Sequence, residues 1–134
     1  MKKDVTEFRE TNRFIHILKA IIFAYLSTFV LIFLYSLALA YTDLSDSTIP
    51  MFVTGITIFS IFLSTVIFCR QMASAGLING MIISGTYLAI VYILGSSLQV
   101  GFALNTQSII LIVSTLLVGG MGGIIGVNFN KLQR

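Results

Sequence analysis

The sequence predicts an all-α, polytopic membrane protein: four transmembrane helices, both termini cytoplasmic, packed as an antiparallel bundle of two hairpins. Three observations carry this expectation. Of the 134 residues, 57% are hydrophobic and 10% charged. A soluble domain carries about 25% charge, so these charges are too few to cover a water-facing surface. Four uncharged stretches of 19 to 23 residues follow one another, each long enough for a hydrocarbon core of about 30 Å at about 1.5 Å per residue. All eight Lys and Arg residues lie outside these stretches, in positions that alternate with the spans. The polar–apolar alternation of barrel strands is absent, so helices satisfy the backbone. At this length one domain, 1–134, is the expected organisation.

Residues 1–19 are polar and mixed in charge. Asp4 and Glu7 have the spacing of a capping box, and Lys3–Glu7 and Glu10–Arg13 sit at helix-neighbour spacings. Val5, Phe8, Ile15 and Leu18 recur at roughly helical period. Two readings stay open here: a short interfacial helix, or a solvated extension of the first span. The first span is expected near 20–41. Its apolar run exceeds the 7–15 residues of a cleavable signal, so it is expected to remain as a membrane helix.

The loop from Thr42 to Thr48 carries only acidic charges, Asp43 and Asp46. Pro50 suits the first turn of the next helix, where its missing N–H is no loss. The second span is expected near 51–69. Thr57, Ser60 and Ser64 lie within about 60° on a helical wheel, with Thr54 beside them. Such a hydroxyl stripe belongs against other helices, where it bonds across the bundle or back to its own i−4 carbonyl. The alternative is the wall of a polar pathway. Cys69 is the only cysteine, so no intramolecular disulfide forms, and a small apolar residue near a helix end is its expected role.

A short connection with Arg70 leads to the third span, near 76–98. Gly76, Gly80, Ser84, Tyr87, Val91 and Gly95 share one face of it, and Gly85 lies off that face. After an uncharged loop, the fourth span runs near 108–127. Ser108, Ile112, Thr115, Gly119, Gly122, Gly123 and Gly126 fall on one face, and Gly120 does not. In water so many glycines would weaken a helix, at about 1 kcal/mol each against Ala. In a bilayer, small residues let helix backbones approach closely. Gly119 to Gly126 therefore read as a packing stripe.

Orientation follows from the basic residues. Five precede the first span, Arg70 lies between the second and third, and Lys131 and Arg134 follow the fourth. Cytoplasmic termini place all eight on one side, as the positive-inside rule asks. Gly76, Gly80 and Ser84 then share the inner half of the membrane with the fourth-span glycines. The two faces are expected to meet in a tight hairpin. The rival is that one of them receives a second copy of the chain.

Gly76-Leu77-Ile78-Asn79-Gly80, Gly85-x-Tyr87 and the Gly119–Gly126 run into Val127-Asn128 resemble the YrzE-like proteins. These are small four-helix membrane proteins of Gram-positive, often spore-forming, bacteria. The resemblance spans residues 14–131 and is clearest over 76–130. It implies four spans in a bacterial cytoplasmic membrane, and it brings no activity, cofactor or catalytic residue.

Chemistry is sparse. His16 is the only histidine and lies at the cytoplasmic boundary. No Cys/His cluster has metal spacing, and Asp43 and Asp46 read as a solvated loop. No general base lies at membrane depth beside the many hydroxyls. Catalytic, cofactor and metal sites are therefore all expected to be absent, and the chain is expected not to be an enzyme. None of the four spans carries an ionisable acid or base between its ends, the usual device of a coupled transporter. The favoured reading is a structural or helix-docking protein. Its expected partners are membrane lipids and a second copy or another membrane protein, with no nucleic acid. The alternative is an oligomeric channel or a solute or lipid transporter lined by Thr54, Thr57, Ser60, Ser64 and Asn79.

Overall fold

The computed structural model describes residues 2–43, 45–72, 75–97 and 105–132. It contains four long helices: α1 (Lys2–Tyr41), α2 (Ile49–Cys69), α3 (Gly76–Ser97) and α4 (Thr106–Leu132). A 3₁₀ turn at Asp46–Thr48 leads into α2. All four helices are long and apolar enough to cross a membrane, and no strand occurs among the described residues. Leu98 and loop residues 99–104 lie outside the described residues, as do the side chains of Asp4 in the expected capping box and of Val5 and Phe8.

The N-terminal segment and the first span form one helix of 40 residues. At about 1.5 Å per residue it is about 60 Å long, roughly twice the hydrocarbon thickness. No kink-forming residue interrupts it, since Lys2 to Tyr41 contains neither Pro nor Gly. A separate interfacial helix is therefore not present, and the polar segment continues the span. At the other end of α1, Tyr35 stacks on Phe52 of α2 with ring centroids 5.0 Å apart. This contact ties the top of the first hairpin.

Pro50 sits in the first turn of α2. The Thr48 N–H and hydroxyl both donate to the Ser45 carbonyl, at 3.0 and 2.8 Å, and so close the preceding turn. At the C-terminal end, the N–H groups of Gln71 and Met72 donate to the carbonyls of Phe68 and Cys69. Ala75 then adopts φ 58°, in the left-handed region, and its carbonyl accepts the Asn79 N–H in the first turn of α3. α4 opens on Asn105, whose carbonyl accepts the N–H groups of Ser108 and Ile109.

The helices form a ring in the order α1–α2–α4–α3. The α3/α4 hairpin shares the most extensive interface, followed by α2/α4 and then α1/α2. α1 meets α3 more lightly, and α1 and α4 stand on opposite corners. The two hairpins thus lie side by side, with α2 next to α4 and α1 next to α3. Since the chain reverses at each link, these cross-hairpin neighbours run parallel.

The core is built of small and hydroxylated residues. Ala20, Ile21, Cys69, Ile83 and Val127 form one buried cluster, and Ala24, Ile61 and Tyr87 form another. Ser60, Ser64, Thr65, Ser84 and Thr115 are fully buried among them. Lipid tails are as apolar as leucine, so close backbone approach and hydrogen bonds hold such a bundle, not hydrophobic burial.

Candidate functional site

α4 occupies a corner of the ring, so its small residues serve two neighbours. Gly119 and Gly123 face α3. A Cβ on Gly123 would collide with the Gly76 carbonyl oxygen and lie 3.0 Å from Gly80 Cα. A Cβ on Gly80 would collide with the Gly119 carbonyl oxygen, and one on Gly119 would lie 2.5 Å from Ser84 Oγ. Ser84 donates to the Gly80 carbonyl at 3.0 Å. Here backbone touches backbone, and only hydrogen fits on the α-carbons.

Gly122 and Gly126 differ from the expectation that they meet α3. They face α2: a Cβ on Gly122 would collide with Thr65 Oγ1, and one on Gly126 would lie 2.6 Å from the Val66 carbonyl oxygen. The reason is geometric. At about 100° per residue, the mean direction of Gly119 and Gly123 lies about 60° from that of Gly122 and Gly126, so the two pairs turn toward different neighbours of a corner helix. Thr115 projects with the second set and is fully buried, its hydroxyl without a hydrogen-bond partner. Gly120 is likewise not on an open face. It is buried beside α3, where a Cβ would lie 2.9 Å from Leu77 Cδ1 and 3.4 Å from Met81 Cγ. The α3 side chains reach around the seam and cover it.

The hydroxyl stripe of α2 divides at mid-membrane. Ser64 and Ser60 are fully buried in the C-terminal half of the helix. Ser64 donates across to the Ala20 carbonyl of α1 at 2.6 Å, while Ser60 Oγ has no hydrogen-bond partner. Thr57 and Thr54 lie in its N-terminal half and bond back to the carbonyls of Val53 and Pro50 at 2.8 and 2.7 Å. Both line a cavity of about 630 Å³ between α2, α3 and α4.

A second group of polar contacts joins α1 to α3. The Tyr25 and Tyr87 rings stack with centroids 4.4 Å apart. Tyr25 donates its hydroxyl to the Tyr87 carbonyl at 3.0 Å, and Tyr87 donates to Thr28 Oγ1 at 3.1 Å. Thr28 in turn donates to the Ala24 carbonyl at 2.8 Å. Nearer the N-terminus, Arg13 Nε donates to Asn79 Oδ1 at 2.8 Å. Asn79 is buried, and its side chain is bonded to α1. Sequence reasoning placed Tyr87 on the packing face but did not pair these residues. No helical spacing signalled the pairing, since Arg13 and Tyr25 lie about 120° apart on a helical wheel.

His16 is partly buried, and its Nδ1 has no hydrogen-bond partner. Among the described residues no three His, Cys, Asp or Glu side chains converge on a point that would hold a metal ion. The arrangement therefore offers two features for function: a sealed half on the side of the α1 N-terminus, and a cavity in the opposite half.

No curated protein and no solved structure matches the chain. A family model does, from Arg13 to Gly126, and so takes in both the α1–α3 polar contact and the glycine seam. With residues 13–126 matched, the chain belongs to the family described as "Protein of unknown function (DUF3792)".

Proposed function

We propose that this protein is a structural or helix-docking component of a bacterial cytoplasmic membrane, with both termini in the cytoplasm and no enzymatic activity. The resemblance to YrzE-like proteins supports the bacterial assignment, and the eight Lys and Arg residues on one side support the orientation. The observation that carries the functional reading is the sealing of the inner half. Ser60, Ser64, Thr65, Ser84 and Thr115 are each 0% exposed, and the glycines bring α3 and α4 backbone to backbone. These buried hydroxyls offer no wall to a solute route at that depth. A rigid bundle with apolar outer faces remains, suited to lateral association in the membrane.

One observation favours the runner-up. Thr54 and Thr57 line a cavity, as a lipid- or solute-handling protein would require. Passage through the membrane would then need a second copy to complete the inner half.

The test compares transport with association. In proteoliposomes the purified protein is expected to give no flux of protons, monovalent cations or small anions above that of empty vesicles. Photo-crosslinkers at the lipid-facing Phe33 and Ile110, in native membranes, are expected to trap discrete protein adducts. A saturable flux that Ser60→Val and Ser64→Val abolish would replace this reading with the transport one.

A further inference from the structure

We propose that the cavity between α2, α3 and α4 is a binding site for one acyl chain of a membrane phospholipid. Its place in the bundle is the first ground. It reaches from the start of α2 at Pro50, and the start of α4 at Gln107 and Ser108, down to Thr57, Gly85 and Leu116. From Gln107 to Leu116 is nine residues of helix, about 14 Å. Half of a hydrocarbon core of about 30 Å is about 15 Å. The cavity therefore runs the depth of one leaflet and stops at the midplane, where Ser60, Ile61 and Ser84 are completely buried.

Its chemistry is the second ground. The wall is made largely of aliphatic and aromatic side chains such as Val53, Leu88, Leu111 and Ile112. The Thr54 and Thr57 hydroxyls already donate to carbonyls of their own helix. The Tyr87 hydroxyl is engaged with Thr28. A water needs two to four polar partners, and the stretch of wall where the Thr54, Thr57 and Tyr87 donors are spent holds water poorly. At about 630 Å³ the space is of the size of small-molecule sites, about 300–1,000 Å³. In a bilayer the apolar molecule present at highest concentration is the lipid itself. Polarity is graded in the matching sense: the exposed Gln107 and the half-buried Ser108 stand at the outer end, at headgroup level, and at the inner end Gly85 and Leu116 stand beside a Thr57 hydroxyl already bonded to Val53.

Gly85 is the third ground. Unlike the seam glycines, it lets no backbone approach: a Cβ there would meet only Leu116 Cδ2, at 3.8 Å. In this position the missing side chain keeps space open. The proposal needs membrane insertion alone. The orientation proposed above decides only that the leaflet is the outer one, so failure of the docking reading leaves the site untouched.

The protein is reconstituted into nanodiscs of phosphatidylglycerol and phosphatidylethanolamine containing a phospholipid with a diazirine on its acyl chain. After irradiation the labelled residues are located by peptide mass spectrometry. Labelling of 53–57, 85–92 and 107–116 on their cavity side is expected to exceed that of the lipid-facing Ile110 and Leu117 at least fivefold. Gly85→Leu and Ala89→Phe, which fill the cavity, are each expected to reduce its labelling at least threefold while Leu117 labelling is unchanged. The wild-type comparison stands even if one variant does not fold. Equal labelling of cavity and outer faces would overturn the proposal. So would unchanged cavity labelling in both folded variants, hydroxyl-radical footprinting that finds water along Thr54 and Thr57, or a cavity occupied by a helix of a second copy.

Discussion

Gly123→Ala adds one methyl group at the tightest point of the α3/α4 seam. That carbon would collide with the Gly76 carbonyl oxygen and lie 2.9 Å from the Gly76 carbonyl carbon and 3.0 Å from Gly80 Cα. All three atoms belong to the α3 backbone, so no rotamer change makes room. The helices must part by about 1 Å for the methyl to reach a carbon–carbon separation of about 3.5–4.0 Å. A gap of that size forfeits about a quarter to a half of each contact, itself worth about 0.1–0.2 kcal/mol. If the seam holds about 50 contacts, as one buried leucine does, the loss is about 3 kcal/mol. Alanine recovers about 1 kcal/mol through its higher helix propensity. The net destabilisation is about 2 kcal/mol, within the usual range for overpacking. Gly120→Ala meets only the movable ends of Leu77 and Met81, and Gly55→Ala meets nothing within 4 Å. Reversible unfolding of the three variants in one detergent is the assay. The expected order of stability is Gly55→Ala highest, then Gly120→Ala, then Gly123→Ala well below both. A Gly123→Ala protein as stable as Gly120→Ala would refute the backbone-contact reasoning.

Further outcomes follow from the same geometry. In a Cys69→Ala background, Asp43→Cys is expected to react with a membrane-impermeant thiol reagent on intact cells and Lys131→Cys is not; the reverse pattern would invert the orientation. Tyr87→Phe removes the bond to Thr28 but leaves Thr28 bonded to Ala24, so it is expected to cost about 0.6 kcal/mol, the average for such bonds in a membrane. A loss above about 2 kcal/mol would show that the tyrosine pair does more than pack. Ala75→Gly relieves a left-handed alanine that costs about 1–2 kcal/mol, and is expected to raise stability by about 0.5–1 kcal/mol once glycine's greater chain entropy is deducted. Lower stability in the same unfolding assay would count against the strained turn.

Membrane insertion, the four helices and their approximate ends were legible in the sequence, because hydrophobic length is a one-dimensional property. The start of α2 at Ile49 and the run of α4 to Leu132 moved the expected ends by a few residues only. The continuous α1 was less legible, because polar residues outside the membrane carry no length signal. The small-residue faces were legible as faces, but not as contacts. A helical wheel shows which residues point together; it does not show how many neighbours share an arc.

That sharing is what the tertiary structure decided. Because the hairpins lie side by side, α4 stands between α2 and α3. Gly122 and Gly126 then belong to one neighbour, Gly119 and Gly123 to the other, and Leu77 and Met81 cover Gly120. The same arrangement brings Tyr25 to Tyr87 and Arg13 to Asn79 across 62 and 66 residues of sequence. It also closes the helices where glycine lies on both partners and leaves them apart beside Gly85, where only one helix has a glycine. By itself the sequence determined that the chain lies in a bilayer and how often it crosses, since transfer free energy sums over local residues. Which helices touch, and where the space between them remains, depended on close contact between distant segments, which no local sum contains.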